Sequence, residues 1–316
     1  MTPRTSVVVP SRGGAHRLPV LFAALRTQAD PDFEVVVVLD GDVDDSRSVV
    51  DGWADELPLR VVELAENRGR AGALNVGFQV ARGEVLVRCD DDLVPDPDYV
   101  AGHARHHTGA AGGPADPRGV VGLYRNEYPE TAYARAYGRA WDGQFRAEAY
   151  RVPADVRWRY WAGNVSVSRE TWRRVGEYDV RFRGYGWEDV DWGFRLAQLG
   201  VPIVLDPRLE TPHRIAATTT ADRVQRAFHS GAARRLWEGK HGLLAADGPP
   251  SSVWSTAVQL AARWHPDEAR MVRSGRAVDR AIPHLPQPVA RKLVALLVEA
   301  ASSAGHEQSA TVATRI

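Results

Sequence analysis

The chain has 316 residues, 44% apolar and 25% charged, with 40 Lys+Arg against 40 Asp+Glu and no formal net charge. That composition fits a soluble globular chain of one large domain, or one domain with an appendage. The neutral balance excludes a general nucleic-acid binder, which needs a basic excess. The single cysteine, Cys89, excludes an intramolecular disulfide and a cysteine-based zinc site. No stretch approaches the roughly 20 apolar residues of a membrane span. The N-terminus runs into a strand without a signal-peptide pattern, so a cytoplasmic protein is expected.

Val7-Val8-Val9-Pro10 is a short β-branched run closed by Ser11-Arg12-Gly13-Gly14, which predicts a buried strand and a loop. Helical spacing follows over 16–28, a second buried strand over 34–39, a helix over 45–56 and a strand over 59–64. Residues 70–81 predict a helix rich in Ala and Gly for close packing, and 84–88 a strand that runs into Asp90-Asp91-Asp92. The β-α alternation predicts a mostly parallel sheet covered on both faces. Ligands of such sheets bind beyond the carboxyl ends of the strands. Asp40, Asp42, Asp90, Asp91 and Asp92 all fall there. His103, His106 and His107 share one face of a helix that could bind a metal, but without carboxylates near them in sequence they are expected as surface or partly buried histidines. Residues 109–119 predict a mobile loop, 131–149, 170–176 and 188–199 helices, and 201–205 a strand. From about 218 the chain turns to Ala/Arg-rich helices with a Pro-Pro-Ser-Ser linker at 249–252. The last dozen residues are expected to be disordered.

Two carboxylate clusters carry the chemistry. Asp90-Asp91-Asp92 supplies oxygen ligands suited to Mg²⁺ or Mn²⁺, although a solvated acidic turn would read the same way. Glu188-Asp189-Val190-Asp191 lies between Trp187 and Trp192. Buried carboxylates are costly unless paired or bound to a cation. A metal site with one carboxylate kept free as a base suits transfer of a group off a phosphate leaving group. The competing reading of the second cluster is a set of carboxylates at a helix N-terminus, favoured by the dipole.

The chain resembles the family 2 glycosyltransferases of GT-A fold. The resemblance rests on Val7-Val8-Val9-Pro10-Ser11, Val37-Val38-Leu39-Asp40-Gly41-Asp42 and the run from Glu66 to Gly77. It rests further on the aspartate triplet with Leu93-Val94-Pro95, on Trp161-Ala162-Gly163-Asn164 and on the run from Gly186 to Arg195. The last also resembles metal-dependent galactosyl- and N-acetylgalactosaminyltransferases. The resemblance implies a catalytic domain over 1–215 and a helical extension over 216–316. It places a nucleotide-diphosphate sugar, UDP-linked on the strength of Asp40, along Pro10, Ser11, Arg12, Asp40, Asp42, Asn67, Gly69, Arg70, Ala71, Asp90 and Asp91. Trp187 would stack on a sugar and Arg214 would hold the departing diphosphate. Asp92 and His213 would bind the metal, Mn²⁺ or Mg²⁺. Asp189 would be the base of an inverting transfer, supported by Glu188, with Trp161 and Asn164 toward the acceptor. The loop through Thr218, Thr219 and Thr220 would close as a lid.

The acceptor would be a hydroxyl of a glycan, natural product or peptide. Nucleic acid is not expected as a partner. The C-terminal helices could form a homodimer or touch a membrane surface. Two other readings stay open: a nucleotidyltransferase-like sugar-phosphate enzyme, and a non-catalytic sugar-nucleotide-binding scaffold. The first would want a Gly-rich, Lys/Arg-containing loop after the first strand and gives Glu188-Asp189 no role.

Overall fold

The computed structural model describes residues 2–109, 113–243 and 252–308. The apolar runs become strands and the periodic segments helices, in the order β1 (Thr5–Ser11), α1 (Leu18–Arg26), β2 (Phe33–Asp40), α2 (Ser46–Asp51), β3 (Leu59–Leu64), α3 (Gly69–Val80), β4 (Val85–Cys89) and α4 (Tyr99–His106). Two three-residue strands follow, β5 (Gly119–Val121) and β6 (Tyr124–Asn126). A π-helical turn, Ala134–Gly138, then leads into α5 (Arg139–Ala149). Next come β7 (Asn164–Ser168), α6 (Arg169–Val175), α7 (Glu188–Gln198), β8 (Ile203–Leu205) and β9 (Thr211–His213). Four helices end the chain: α8 (Thr220–His241), α9 (Val253–Trp264), α10 (Glu268–Ala281) and α11 (Gln287–Glu307).

The described residues form two compact units. The first holds residues 2–126, 146–181 and 188–215; the second holds 127–145, 182–187 and the described residues from 216 on. In the first, a seven-stranded sheet has the order β3-β2-β1-β4-β7-β5-β8. Its first four strands run parallel; β1, β2 and β4 are β-branched or apolar and almost wholly buried, while the edge strand β3 is mostly half-buried or exposed. β7 lies antiparallel to both β4 and β5. Val7, Val9, Val35, Val37 and Val87 meet Leu18, Leu21, Phe22 and Leu25 of α1 in one core. On the other face α3 lies close to the sheet: a Cβ on Gly77 would stand 2.4 Å from Val8 Cγ1. Cys89 is fully buried, and burial pushes its thiol pKa up. A two-stranded parallel ribbon, β6 with β9, sets Asn126 opposite His213.

The second unit is helical. Val224, Phe228, Met271, Val278, Val294 and Leu297 form its core with Tyr133 and Tyr137. In the loop through Thr218–Thr220 the Thr219 hydroxyl caps α8, accepting from Asp222 N at 3.0 Å. Thr220 N donates to Asp279 Oδ1 at 2.7 Å, and Thr218 O accepts from the Thr131 hydroxyl. No helix among the described residues is long and apolar enough to cross a membrane. Residues 110–112 of the expected loop, 249–251 of the linker and 309–316 of the expected disordered end lie outside the described residues.

The histidines of α4 differ from expectation. His103 is fully buried, its ring nitrogens 2.8 Å from Ser166 Oγ and 3.0 Å from Asn164 Oδ1. His107 also reaches Ser166 Oγ, at 2.9 Å. Burial lowers their pKa values to about 4 and about 3, so both are neutral struts beneath β7. Only His106, paired with Asp206, stays partly exposed.

Candidate active site

β4 ends where the carboxylates begin. Asp90 N donates to Gly163 O at 2.9 Å, and Arg214 N donates to Asp92 O at 3.0 Å. The aspartate loop is thereby laced to the segment before β7 and to the end of β9. Gly163 must be glycine: a Cβ there would lie 2.1 Å from Asp90 Oδ2 and 2.2 Å from the Tyr124 hydroxyl.

The three aspartates part company. Asp90 accepts from Arg88 Nε at 2.9 Å, Arg88 Nη2 at 3.3 Å and the Tyr124 hydroxyl at 3.2 Å. Asp91 is held bidentately by Arg17, at 2.9 and 2.8 Å, and by the Ser11 hydroxyl at 2.5 Å. Asp92 Oδ2 stands 3.1 Å from His213 Nε2, while its buried Oδ1 has no hydrogen-bond partner. His213 is steered from behind by Asn126 Oδ1, 2.6 Å from Nδ1, and by the Tyr124 ring stacked at 4.8 Å.

A buried carboxylate oxygen without a donor is costly. The His213 imidazole nitrogen and the Asp92 carboxylate, side by side, are donors that suit Mn²⁺ or Mg²⁺. Among the described residues no third His, Cys, Asp or Glu joins them. Ions of this kind commonly take one or two protein ligands and complete their shell with phosphate oxygens and water. Asp92 and His213 therefore fit the expected divalent ion.

The second cluster opens α7, where the helix dipole favours acidic side chains. Each carboxylate has its own arginine. Glu188 Oε1 is 3.2 Å from Arg70 Nη1, Asp191 Oδ2 is 3.0 Å from Arg195 Nε, and Asp189 Oδ1 accepts from Arg88 Nη1. Glu188 Oε2 is buried without a partner. Arg88 is fully buried, and its guanidinium carbon lies 6.0 Å from the Tyr178 ring centre. It serves Asp90 and Asp189 together.

Around these arginines three carboxylates face two guanidiniums, which leaves one negative charge in excess. Burial opposes ionisation of Asp90, but Arg88 and Arg70 outweigh it and hold the carboxyl at about 2. Asp189 carries the excess: burial, with Glu188 alongside, raises its pKa despite Arg88. Arg88 stays charged, because Asp189 and Asp90 offset its burial.

The other expected site residues lie in the first unit, Trp187 excepted. Pro10 and Ser11 close β1, and Arg12 O accepts from Arg17 Nη2 at 3.0 Å. Asp40 ends β2, its Oδ1 accepting from Arg68 N at 2.6 Å. Asp42 accepts from the first two N–H groups of α2, at 3.1 and 3.3 Å. Asn67 accepts from Gly69 N at 2.8 Å, and Arg70 and Ala71 begin α3. Arg214 lines a small cavity with His16, Arg17, Asp91 and Asp92. Trp187, at φ +68°, belongs to the helical unit, where its indole donates to Ser230 Oγ at 3.0 Å and meets Trp237. Trp161 and Asn164 are core residues: Trp161 stacks on Trp192, and Asn164 Nδ2 donates to Leu209 O and Thr211 Oγ1. Sequence reasoning passed over Arg88, Arg17, Tyr124 and Tyr178. Only Arg88 carried a signal, as an arginine inside the buried run Val85-Leu86-Val87.

Residues 6–160 match the family model described as glycosyl transferase family 2, and residues 146–216 one described as the N-terminal domain of galactosyltransferase. The validoxylamine A glucosyltransferase of Streptomyces hygroscopicus subsp. jinggangensis (strain 5008) is 31% identical over 240 residues, 67% of this chain and 56% of that protein. The chain thus spans little more than half the length of this curated relative. The solved structure of the mannosyltransferase PcManGT from Pyrobaculum calidifontis, in complex with GDP-Man and Mn²⁺, matches with a TM-score of 0.63 at 23% identity. That match covers 98% of this chain and 88% of the other. GalNAc-T7 with UDP, GalNAc and Mn²⁺ gives 0.51 at 14% identity, over 75% and 54%. At such identities the two structures speak for the fold alone. Over residues 6–160 this chain belongs to glycosyl transferase family 2, on a GT-A fold.

Proposed function

We propose that this chain is a metal-dependent, inverting glycosyltransferase that moves a sugar from a UDP-sugar to an acceptor hydroxyl. One observation carries the reading. Asp90, at the donor end of the sheet, and Asp189, at the start of α7, are gathered on one buried guanidinium. A donor-side carboxylate and a candidate base thus share a site.

The donor lies across the carboxyl ends of β1, β2 and β4. Asp40 accepts the imide N–H of the base, with Arg68 N fixing its other oxygen. Asp92 and His213 would hold the divalent ion. When bound, that ion acts as a Lewis acid that stabilises charge on the departing diphosphate. Arg214, next to His213 in sequence, adds a positive charge on the same side. Asp189, with its raised proton affinity, takes the acceptor's hydroxyl proton. The acceptor oxygen bonds to the anomeric carbon as the bond to the diphosphate oxygen breaks, and attack from the opposite face inverts that carbon.

The relative's name suggests validoxylamine A as the first acceptor to try and a glucosyl donor, which the proposed nucleotide makes UDP-glucose. The test is thermal stabilisation by UDP-, GDP-, dTDP- and CMP-sugars with and without Mn²⁺, followed by product analysis. A ligand at a hundred times its dissociation constant adds about 2.7 kcal/mol. A Mn²⁺-dependent shift with UDP-sugars and a product of inverted anomeric configuration are expected. Stabilisation by GDP-sugars alone would overturn the nucleotide assignment. No response to any sugar nucleotide would overturn the donor site itself, and binding without turnover would return the chain to the scaffold reading.

A further inference from the structure

We propose that Arg88 is a positioning residue, which holds Asp189 at a set distance from the donor-side Asp90. The roles of the two carboxylates rest on the glycosyltransferase reading above.

Arg88 sits where a side chain is hardest to move. β4 is central, paired with β1 on one side and β7 on the other; Arg88 stands opposite Val8 and Val165. Its guanidinium is fully buried, a placement tolerated only with full pairing. The pairing is divided. Nε and Nη2 go to Asp90, Nη1 goes to Asp189, and Tyr178 covers a face. Tyr124 gives Asp90 a third donor.

Glu188 and Asp191 flank Asp189 in sequence, and each has an arginine from α3 or from α7 itself. Asp189 is the carboxylate of the turn whose arginine is shared with the aspartate loop. The planar fork spans two carboxylates at once, which a lysine ammonium does not do. Sharing has a second consequence. A guanidinium committed to Asp90 orients Asp189 without cancelling its charge, so the carboxylate stays basic and stays in place. The groups facing Asp189 are Arg88 from β4, Arg70 from α3, Glu188 from α7, Asp90 from the aspartate loop, Tyr124 from β6 and Tyr178 from the segment before α7.

The test uses Arg88→Lys and Arg88→Gln in the full chain, with UDP release from UDP-glucose and Mn²⁺ in the presence of validoxylamine A as acceptor, and a crystal structure of each folded variant. Arg88→Lys keeps the charge and loses the fork. Its Asp189 carboxylate should move away from Asp90, and kcat should fall about 10²-fold, as for a small misplacement. KM for UDP-glucose should change far less. In Arg88→Gln the acid limb of the pH–rate profile should move to higher pH, because the charge that lowers the Asp189 pKa is gone. If Asp189 is unmoved in both crystal structures, or kcat and the pH profile match wild type, the positioning role is wrong. A wild-type protein that releases no UDP would sink the functional reading instead. The displacement in the crystal structures would still decide what Arg88 positions.

Discussion

Asp189→Asn exchanges one carboxylate oxygen for an amide and removes the excess negative charge of the cluster. In the wild-type fold, burial and Glu188 raise the Asp189 pKa above its unfolded value of about 3.9. A carboxyl raised in this way contributes stability that is fully present below the unfolded pKa. That contribution is lost as pH rises through the folded pKa. Asparagine stays neutral throughout, so the variant should gain on wild type as pH rises from 4 to 8. Each tenfold change in proton affinity is worth about 1.4 kcal/mol. With the carboxyl raised to about 7, a gain on the order of 4 kcal/mol by pH 8 is expected, read as a higher Tm of the variant. Transfer should fall by about 10²–10⁴ for loss of a general base, with binding of UDP-glucose and Mn²⁺ retained. Urea unfolding across this pH range, beside UDP release, measures both. A variant less stable than wild type by the same margin at pH 5 and pH 8 would refute the charge-balance reasoning. Asp189 would then be a settled partner of Arg88 and not a poised base.

Asp92→Ala should abolish the Mn²⁺-dependent part of the thermal shift. Its ion-free Tm should hold or rise, because Asp92 Oδ1 is buried without a donor; an unchanged Mn²⁺ response would remove Asp92 from the metal site. Gly163→Ala drives a methyl into Asp90 and the Tyr124 hydroxyl. A loss of about 1–3 kcal/mol and of UDP-glucose binding is expected, checked by urea unfolding and calorimetry. The folded-state pKa values of His103 and His107 lie below the unfolded 6.5, so stability present above about pH 6.5 is lost as pH falls toward 4. In histidine NMR spectra two of the imidazoles should not titrate between pH 8 and 5.5; two ordinary titrations there would show that they are not buried neutral.

Local pattern was enough for the first half of the chain. Val7 to Val9, Val35 to Leu39 and Val85 to Val87 are β-branched or apolar without a break. Such runs, spaced by helical periods, admit little besides a parallel sheet. That pattern put Asp40 and Asp90 to Asp92 at strand ends. The spacing of Glu188 and Asp191 likewise marked the start of a helix. The three-residue strands β5, β6 and β9 were not legible, because runs so short have no period of their own and pair only once neighbours exist.

Partnership was decided by tertiary structure. Nothing near Asp90, Asp91 or Asp92 says that the first would go to Arg88, the second to Arg17 and the third to His213. Nothing near Trp187 says that its ring would turn to Trp237 and Ser230. The apolar pattern is written along the chain because burial acts on every residue of a strand or helix face. A buried charge instead needs one partner at hydrogen-bond distance, and residues far apart in sequence supply it only once the sheet has closed around them.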